Sequence, residues 1–419
     1  MSQPLHIIHV SDIHFGSGEV HGCLNPETGL NIRFEDFVAA LDKVVDYAID
    51  IEADALLFSG DAYKNATPDP IYQKMFALRL KRLSDSGIKT ILLVGNHDQI
   101  LRSSNSHAMS VFQSLSVPGV TTIDRPVFMP IETRRGKFQL IGIPHVTRHQ
   151  LVTIEKYANL PAAEIDRLLI EQVSNTFANY YRQLDPQLPT IATAHMTVDK
   201  AVAGIEEELL IGYTLTFPTD IFVNDKVDYV ALGHVHKYQI IRDSKPAIVY
   251  AGSLERVDFG EEKEDKGFIH VKLERGNTRY AFHSISPRPF VTIDLNLSQA
   301  SDPTKAILDA ISRSLIPGCV LRIRYKIKQE QLAILDEKAI RQAASTALTM
   351  RLLPPEIEMS QNRTRMPQLN ESIAATPMAA LDTYLSEVAP ERKPNLLARA
   401  QTIMEELRQE LHNENSNGN

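Results

Sequence analysis

Hydrophobic and polar residues follow two different periods along the first 285 residues. Short apolar runs suit buried strands: HIIHV, ALLF, TILLV, FQLIGI, TIATA, YVALG and AIVYAG. In the first half, stretches of helical period separate them: FEDFVAALDKVVDYAID, IYQKMFALRLKRLSDS and AEIDRLLIEQVSNTFANYYRQL. The later strands follow one another without long helices. We therefore predict an α/β (α+β) fold with two packed sheets flanked by helices.

The pattern changes near residue 286, where SPRPFVTIDLN contains two prolines. From 290 to about 358 the chain reads β-α-β-α, and two helical stretches follow a polar linker, MSQNRTRMPQLN. We predict three regions: 1–285, 286–360 and 361–419, the last ending in a disordered tail, HNENSNGN. Within the first region, residues 200–225 have no steady period and are predicted to form a loop or flap.

The composition is that of a water-soluble globular protein. No apolar run approaches the roughly 20 residues that a membrane helix needs, and the N-terminal residues do not resemble a secretory signal. Cys23 and Cys319 lie far apart without metal-binding spacing, which favours reduced thiols in a cytoplasmic protein. The net charge of −8 gives no global attraction to nucleic acid, so binding of DNA would require a local basic surface.

Metal-ligand residues follow the strands of the first region. They are Asp12 and His14 after HIIHV, Asp61 after ALLF, Asn96, His97 and Asp98 after TILLV, His195 after TIATA, and His234 and His236 after YVALG. Carboxyl ends of parallel strands build sites together. Oxygen and imidazole ligands without cysteine favour Mn²⁺, with Fe²⁺ or Zn²⁺ as alternatives. So many ligands suit two ions about 3.5–4 Å apart, an arrangement that holds a phosphoryl group and activates water.

A single histidine is more often a surface or packed core residue than a ligand. Histidines that lie inside a strand or lack such neighbours in the sequence are therefore predicted to have no role in the site. They are His6, His9, His21, His107, His145, His149, His270 and His283.

The series D-x-H, G-D, G-N-H-D, H and G-H-x-H resembles the calcineurin-like metallophosphoesterase superfamily. More narrowly, SDIHFG, GDAYKNATPDP, VGNHDQ, ALGHVHK and YAGSLERVDFGEEKEDKGF are similar to the SbcD-like nuclease subunits of SbcCD-type DNA repair complexes. The superfamily resemblance covers about residues 5–285, and the narrower one extends through the C-terminal regions by layout. It implies a Mn²⁺-dependent exonuclease and endonuclease that hydrolyses phosphodiester bonds at DNA ends and hairpins in double-strand-break processing.

The resemblance also implies a role for each site residue. The implied ligands are Asp12, His14 and His236 for one ion, Asn96, His195 and His234 for the other, and Asp61 as a bridge. His97 would not be a ligand but would protonate or stabilise the leaving oxygen. Asp98 would orient His97 by a hydrogen bond, or equally serve as a turn residue. Arg256 and Asp258, in LERVDFG, are predicted to support the site or the sheet.

Basic residues in two places are candidates for contact with DNA. Strand VLRIRYKIK alternates so that one face carries only basic side chains, those of Arg322, Arg324, Lys326 and Lys328. This face either follows a phosphate backbone or lies in water. Lys64 occupies a position where many relatives carry an acidic residue or histidine, and it either contacts phosphate or is a solvated loop charge.

Partners are implied by the C-terminal region. Its two helical stretches are short for a core of their own, so they either dock on another protein or pack internally. The chain contains no G-x-x-x-x-G-K-[ST] phosphate loop. The resemblance therefore implies that an SbcC-like coiled-coil ATPase, not this chain, binds ATP. It also implies a homodimer with contact through residues 70–86 and 105–116. The rival interpretations are a phosphoprotein phosphatase, a nucleotide phosphodiesterase and a non-catalytic scaffold.

Overall fold

The computed structural model describes residues 3–99, 106–148, 160–202, 215–358, 377–388 and 390–416. Residues 203–214 of the predicted flap (200–225), the whole predicted linker and His149 lie outside these ranges. The described end of the predicted flap contains a short strand, Thr216–Phe217, and a 3₁₀ helix, Thr219–Phe222. The chain divides into two compact units. The first contains Met1–Asp294, Ile307–Arg324 and Glu337–Leu353, and the second Leu295–Ala306, Tyr325–Asp336 and Pro354–Asn419.

Two six-stranded sheets form the centre of the first unit. Their strands are β1 Leu5–Val10, β2 Ala55–Phe58, β3 Lys89–Leu93, β4 Val120–Ile123, β5 Val127–Glu132, β6 Lys137–Ile143, β7 Thr190–His195, β10 Tyr229–Gly233, β11 Gln239–Arg242, β12 Ala247–Tyr250, β13 Gly267–Leu273 and β14 Arg279–Ser284. Two further short strands, β8 Thr197–Val198 and β9 Thr216–Phe217, pair with each other in a separate sheet. The strand orders are β14-β13-β1-β2-β3-β4 and β11-β12-β10-β7-β6-β5. Strands β1 to β4 are parallel, as are β6, β7, β10 and β12.

Strand alternation explains why the sheets pack face to face. In β1, Leu5 and Ile7 join a core that contains Leu140 and Tyr229 of the other sheet. The next residue, Ile8, points the other way, into a core shared with helices. Because both faces of the central strands are apolar, each sheet needs a second covering layer.

Helices supply that covering layer. They are α1 Ile32–Asp50, α2 Pro70–Asp85, α3 Ser110–Ser114 and α4 Ala162–Gln183. The Asn31 side chain caps α1 by accepting a hydrogen bond from the backbone N–H of Arg33 at 2.9 Å. The apolar face predicted for α1 is buried against the first sheet, and α4 covers the second through Val173 and Phe177. The predicted two-sheet fold flanked by helices is therefore confirmed.

A small α/β sheet follows the sandwich. Its elements are β15 Phe290–Asn296, α5 Pro303–Arg313, β16 Val320–Ile327, α6 Glu337–Ala343, β17 Thr349–Leu352 and β18 Glu356–Ile357. The strand order is β15-β16-β17, with β18 beside β16. The predicted β-α-β-α order is present, whereas the short strands β17 and β18 were not foreseen. The division into units passes through β15 and β16, so the region boundary near 286 stays a prediction.

Two helices end the described chain, α7 Pro377–Val388 and α8 Lys393–Ser416. Lys393 joins them through an ion pair with Asp382 at 2.9 Å. The predicted disordered tail is too long, because α8 continues through residues 412–416. Among the described residues, no helix combines the length and apolar character that a membrane crossing requires.

Candidate metal centre

The predicted ligands follow five parallel strands whose carboxyl ends share one edge of the sandwich. Asp12 and His14 follow β1, Asp61 follows β2, Asn96 follows β3, His195 ends β7, and His234 and His236 follow β10. Loops at such an edge meet above the sheets. The structure therefore brings together residues that lie as much as 224 positions apart in the sequence, from Asp12 to His236.

One group of ligands contains Asp12, His14 and His236. One donor atom from each lies within 4.8 Å of the others. The Nε2 atoms of His14 and His236 are 3.0 Å apart. His14 Nε2 also lies 3.8 Å from Asp12 Oδ1 and 3.7 Å from Asp61 Oδ2. This group has the composition predicted for the first ion.

The second group is centred on the side-chain oxygen of Asn96. Asn96 Oδ1 lies 2.9 Å from His195 Nε2 and 2.9 Å from His234 Nδ1. His195 Nε2 is also 3.1 Å from Asp61 Oδ2. Asp61 thus contacts residues of both groups, which is the position predicted for a bridging carboxylate.

Hydrogen bonds at the far side of the imidazoles test whether these residues fit a metal. His195 Nδ1 lies 2.7 Å from the backbone carbonyl oxygen of Ser59, an atom that can only accept, so this nitrogen carries hydrogen. In the neutral ring, Nε2 then has a lone pair, and this lone pair faces the oxygen acceptors of Asp61 and Asn96. Acceptors that converge in a buried site require a cation between them, so the residues fit a divalent ion.

Asp61 and His195 shift each other's pKa in opposite directions. Burial lowers the pKa of His195, but the Asp61 carboxylate outweighs burial and raises that pKa to about 9. Burial raises the pKa of Asp61, and the nearby imidazoles, led by His195, hold it well below its usual range. Protons and metal ions therefore compete for the same lone pairs.

The backbone at the site adopts conformations that most residues avoid. Four of the predicted ligands have positive φ: Asp12 at 52°, His14 at 51°, Asp61 at 61° and His234 at 99°. Each such residue costs about 1–3 kcal/mol and persists only because the surrounding structure enforces it. The neighbouring glycines allow close packing, because a Cβ atom at Gly95 would lie 2.1 Å from Asp61 Oδ1 and one at Gly60 would lie 2.2 Å from His195 Nδ1.

His97 is exposed next to the two ligand groups. Its ring centroid lies 4.9 Å from that of His14, and its backbone N–H donates to Asp61 Oδ1 at 2.9 Å. Its Nδ1 bonds to the backbone carbonyl oxygen of Lys64 at 2.8 Å. His97 therefore presents Nε2, the other ring nitrogen, to a molecule that reaches the site.

Of the two roles predicted for Asp98, accepting a hydrogen bond that orients His97 is not the one observed; its oxygens bond to the backbone of the turns instead. Asp98 is buried and accepts three backbone N–H bonds, from Gly95 at 3.0 Å, from Asp61 at 3.0 Å and from Ala62 at 3.1 Å. It fixes the loops that carry Asp61 and His97. The partner that orients the His97 ring is the Lys64 carbonyl, whereas the Lys64 side chain is exposed on its loop.

The sequence did not reveal two further residues at the site. His145, two residues past β6, groups with His195 and His234, and its Nδ1 bonds to the His195 carbonyl oxygen at 3.2 Å. The sequence predicted no role for His145 in the site, whereas the structure groups it with two predicted ligands, and its place beyond a strand end was the available signal. The second residue is Glu261, whose Oε1 lies 2.7 Å from His236 Nδ1.

Three of the histidines predicted to have no role in the site, His6, His270 and His283, lie together elsewhere in the first unit. His270 Nε2 lies 2.9 Å from His6 Nδ1, and its Nδ1 lies 3.0 Å from the Tyr47 hydroxyl. His283 Nε2 lies 3.3 Å from the same hydroxyl. These contacts lie on β1, β13 and β14, outside the ligand groups.

The basic face of β16 is present, but its members differ. Arg322 lies 4.1 Å over the Phe259 ring and donates to Thr292 Oγ1 at 3.0 Å, so it packs within its own unit. Arg324 is half exposed and pairs with Asp294. Lys326 pairs with Glu356 at 3.6 Å, and Lys328 is partly buried. The structure thus gives Arg322 a packing role, and contact of the other three with DNA stays a prediction.

The predicted supporting residues form bonds with the loop between β12 and β13. The Arg256 guanidinium donates to the backbone carbonyls of Glu261, Glu264 and Arg288. Asp258 accepts a hydrogen bond from the backbone N–H of Gly260 at 2.6 Å.

Curated proteins similar to this chain include a nuclease subunit and a DNA repair protein. The first, a subunit of the nuclease SbcCD from Escherichia coli (strain K12), is 25% identical over 273 residues, 64% of this chain and 64% of that protein. The second, the "DNA double-strand break repair protein Mre11" of Methanosarcina mazei, is 22% identical over 325 residues, 77% of this chain and 45% of that protein. The chain thus matches less than two thirds of the length of these relatives.

Among solved structures, a dimetal phosphatase from Danio rerio is 10% identical, with 67% of this chain and 96% of that chain covered and a TM-score of 0.38. The sequence model of the family described as "Calcineurin-like phosphoesterase" matches residues 5–238, more than half of the chain. The chain belongs to the calcineurin-like phosphoesterase family.

Proposed function

We propose that this chain is a Mn²⁺-dependent DNA nuclease that hydrolyses phosphodiester bonds at DNA ends and hairpins during double-strand-break processing. The observation that carries the proposal is the exposed His97 imidazole beside two groups of metal ligands that share Asp61. The names of the two curated relatives, a nuclease subunit and a double-strand-break repair protein, support DNA as the substrate.

Each residue of the site has a proposed task. Asp12, His14 and His236 hold one ion, Asn96, His195 and His234 hold the other, and Asp61 bridges them. When bound, two divalent ions stabilise charge on the phosphoryl oxygens and make water a better nucleophile. His97, with Nδ1 fixed by the Lys64 carbonyl, donates a proton from Nε2 to the leaving oxygen.

The proposed assembly includes two partners and a cytoplasmic location. Residues 1–285 are the nuclease region, 286–360 the DNA-binding cap and 361–419 the segment that docks on an SbcC-like coiled-coil ATPase. Exposed apolar residues on the last two helices support docking, with Tyr384 45%, Val388 56% and Ile403 49% exposed. A homodimer contact through α2 and α3 is supported by Leu78, Val111 and Leu115, which are 44%, 42% and 69% exposed.

The test is cleavage of linear and hairpin DNA by the purified chain with Mn²⁺. We expect cleavage, and we expect His97→Asn to reduce its rate by about 10²- to 10⁴-fold, the usual contribution of a positioned acid, without loss of bound metal. Metal content is measured on the same samples. His283→Asn, on β14 outside the site, is the matched control and should cleave at the wild-type rate.

Two results would contradict the proposal. Hydrolysis of a phosphopeptide or a nucleotide diester with none of DNA would favour another dinuclear phosphoesterase. Metal binding without hydrolysis of any phosphoester would favour a scaffold. Loss of metal in His97→Asn would instead make His97 a ligand.

A further inference from the structure

The ring of His236 is bonded on its far side by a buried carboxylate. Its Nδ1 lies 2.7 Å from Oε1 of Glu261, a carboxylate that is only 6% exposed. The other oxygen of Glu261 accepts from the backbone N–H of Val257 at 3.0 Å and pairs with Lys266 Nζ at 2.9 Å. Both oxygens are therefore engaged, and the carboxylate has one orientation.

Lys266 fixes this arrangement from behind. It is fully buried, and its ammonium group contacts Glu261, Glu264 Oε2 at 2.8 Å and the backbone carbonyl oxygen of His236 at 3.0 Å. An ammonium group has three hydrogens, and these three acceptors use all of them. One buried cation thus holds both the backbone of His236 and the carboxylate that bonds to its ring.

The hydrogen bond between His236 Nδ1 and Glu261 decides which ring nitrogen of His236 has the lone pair. A carboxylate accepts a hydrogen bond, so Nδ1 carries hydrogen and the Nε2 lone pair points toward Asp12 and His14. A buried ion pair adds little stability over an apolar pair of similar volume. A role in orienting His236 gives a reason for burying these charges at this position.

We propose that Glu261 is the positioning residue that holds His236 as a metal ligand and that Lys266 holds Glu261 in place. The inference rests on the proposed metal centre but not on the identity of the substrate. Glutamine at position 261 keeps the shape of the side chain but brings an amide NH₂ group either to His236 Nδ1 or to the two donors of Val257 and Lys266. The resulting conflict either leaves a donor unsatisfied or favours hydrogen on Nε2, which removes the lone pair.

The test is calorimetric titration of the full chain with MnCl₂. We expect wild type to bind two ions and Glu261→Gln to bind the ion at the His14 and His236 position about 10- to 100-fold more weakly, the usual effect of losing such a partner. The other ion should bind as in wild type. Glu264→Gln is the matched control, because Glu264 contacts the same Lys266 but not His236, and its titration should equal that of wild type.

Glu261→Asp is the second variant, because it keeps the carboxylate charge but shortens the side chain by one methylene group. We expect it to fold and to bind the same ion more weakly than wild type but more tightly than Glu261→Gln, with folding checked by circular dichroism. Equal affinity in wild type and Glu261→Gln, or an equal loss in Glu264→Gln, would overturn the inference. If Glu261→Gln does not fold, wild-type affinity in Glu261→Asp would overturn it.

The inference and the proposed function fail in different measurements. A chain that binds two ions through Glu261 but cleaves no DNA would keep the inference and lose the proposed substrate. A chain that cleaves DNA while Glu261→Gln binds both ions normally would lose only the inference.

Discussion

Asp98 acts at the residue scale through the backbone rather than through His97. Its two oxygens accept N–H bonds from two of the loops that carry predicted ligands, those after β2 and β3, and the side chain is fully buried. An amide in its place offers one oxygen and brings an NH₂ group toward backbone donors. The residue therefore controls the position of Asp61, and through it both ligand groups.

We predict that Asp98→Asn lowers the free energy of unfolding by about 1–3 kcal/mol, the usual cost of leaving buried donors unsatisfied, and lowers metal binding as well. Chemical denaturation and metal analysis of the purified variant measure the two effects. Asp124→Asn, at a partly exposed carboxylate outside the ligand groups, is the control. Full metal binding with lost turnover would instead return Asp98 to the role of orienting His97.

Most of the site could be predicted residue by residue, because its ligands recur at strand ends in recognisable motifs. The partners of these ligands could not. Asp98 bonds to backbone N–H groups, which every residue except proline carries, so the sequence gives no sign of them. Glu261 lies 25 positions from His236, in a loop whose path is known only from the structure. His145 stands alone in the sequence and meets its companions only when β6 and β7 pair.

At the scale of the element, the two faces of β16 differ, one buried and apolar and the other basic. Its apolar residues are buried, and its basic residues alternate with them as predicted. Arg322 lies near the start of the strand, where Phe259 covers it, whereas Arg324 is 50% exposed. Residues that share a face in the sequence pattern can therefore differ in environment, because neighbouring loops cover only part of that face.

We predict that the same substitution at two positions of β16 changes two different properties, stability at Arg322 and DNA binding at Arg324. Arg322→Met should destabilise the protein by about 1–2 kcal/mol, because it loses a cation–π contact and hydrogen bonds to Thr292. Arg324→Met should leave stability within about 0.5 kcal/mol, because exposed ion pairs contribute little. It should also reduce the slope of log affinity for DNA against log salt concentration by about 0.9, one phosphate contact.

Thermal unfolding and DNA binding at several salt concentrations distinguish the two variants. An unchanged salt slope in Arg324→Met would remove β16 from the proposed DNA-binding surface. The sequence predicted the strand and its alternation. It did not predict that Arg322 is covered while Arg324 is exposed, because this difference depends on the loop that carries Phe259.

At the scale of the whole molecule, the sandwich and the terminal helices belong to different compact units. The predicted metal ligands all belong to the first unit, whereas α7 and α8 belong to the second. Deleting residues 368–419 removes no predicted ligand. We predict that the shortened chain retains Mn²⁺-dependent hydrolysis of DNA at the wild-type rate but no longer binds an SbcC-like ATPase.

Co-purification with the ATPase and a metal-dependent cleavage assay measure the two activities. The double variant Tyr384→Ser, Ile403→Ser keeps the full chain and tests the exposed side chains of the two helices, which are 45% and 49% exposed. Retained binding of the ATPase by the shortened chain would assign docking elsewhere. The sequence predicted both sheets of the sandwich, but the order of their strands depends on pairings between distant segments, such as β1 with β13.

The left-handed backbone at the ligands has a consequence for how this sequence would drift under relaxed selection. Glycine adopts positive φ more readily than aspartate or histidine, because it has no Cβ atom. In a lineage that no longer needed the activity, such replacements at Asp12 and Asp61 would both remove charge from a buried site and relieve backbone strain. Inactive descendants should therefore keep their cores while the strand ends that carry Asp12 and Asp61 lose acidic residues, most often to glycine.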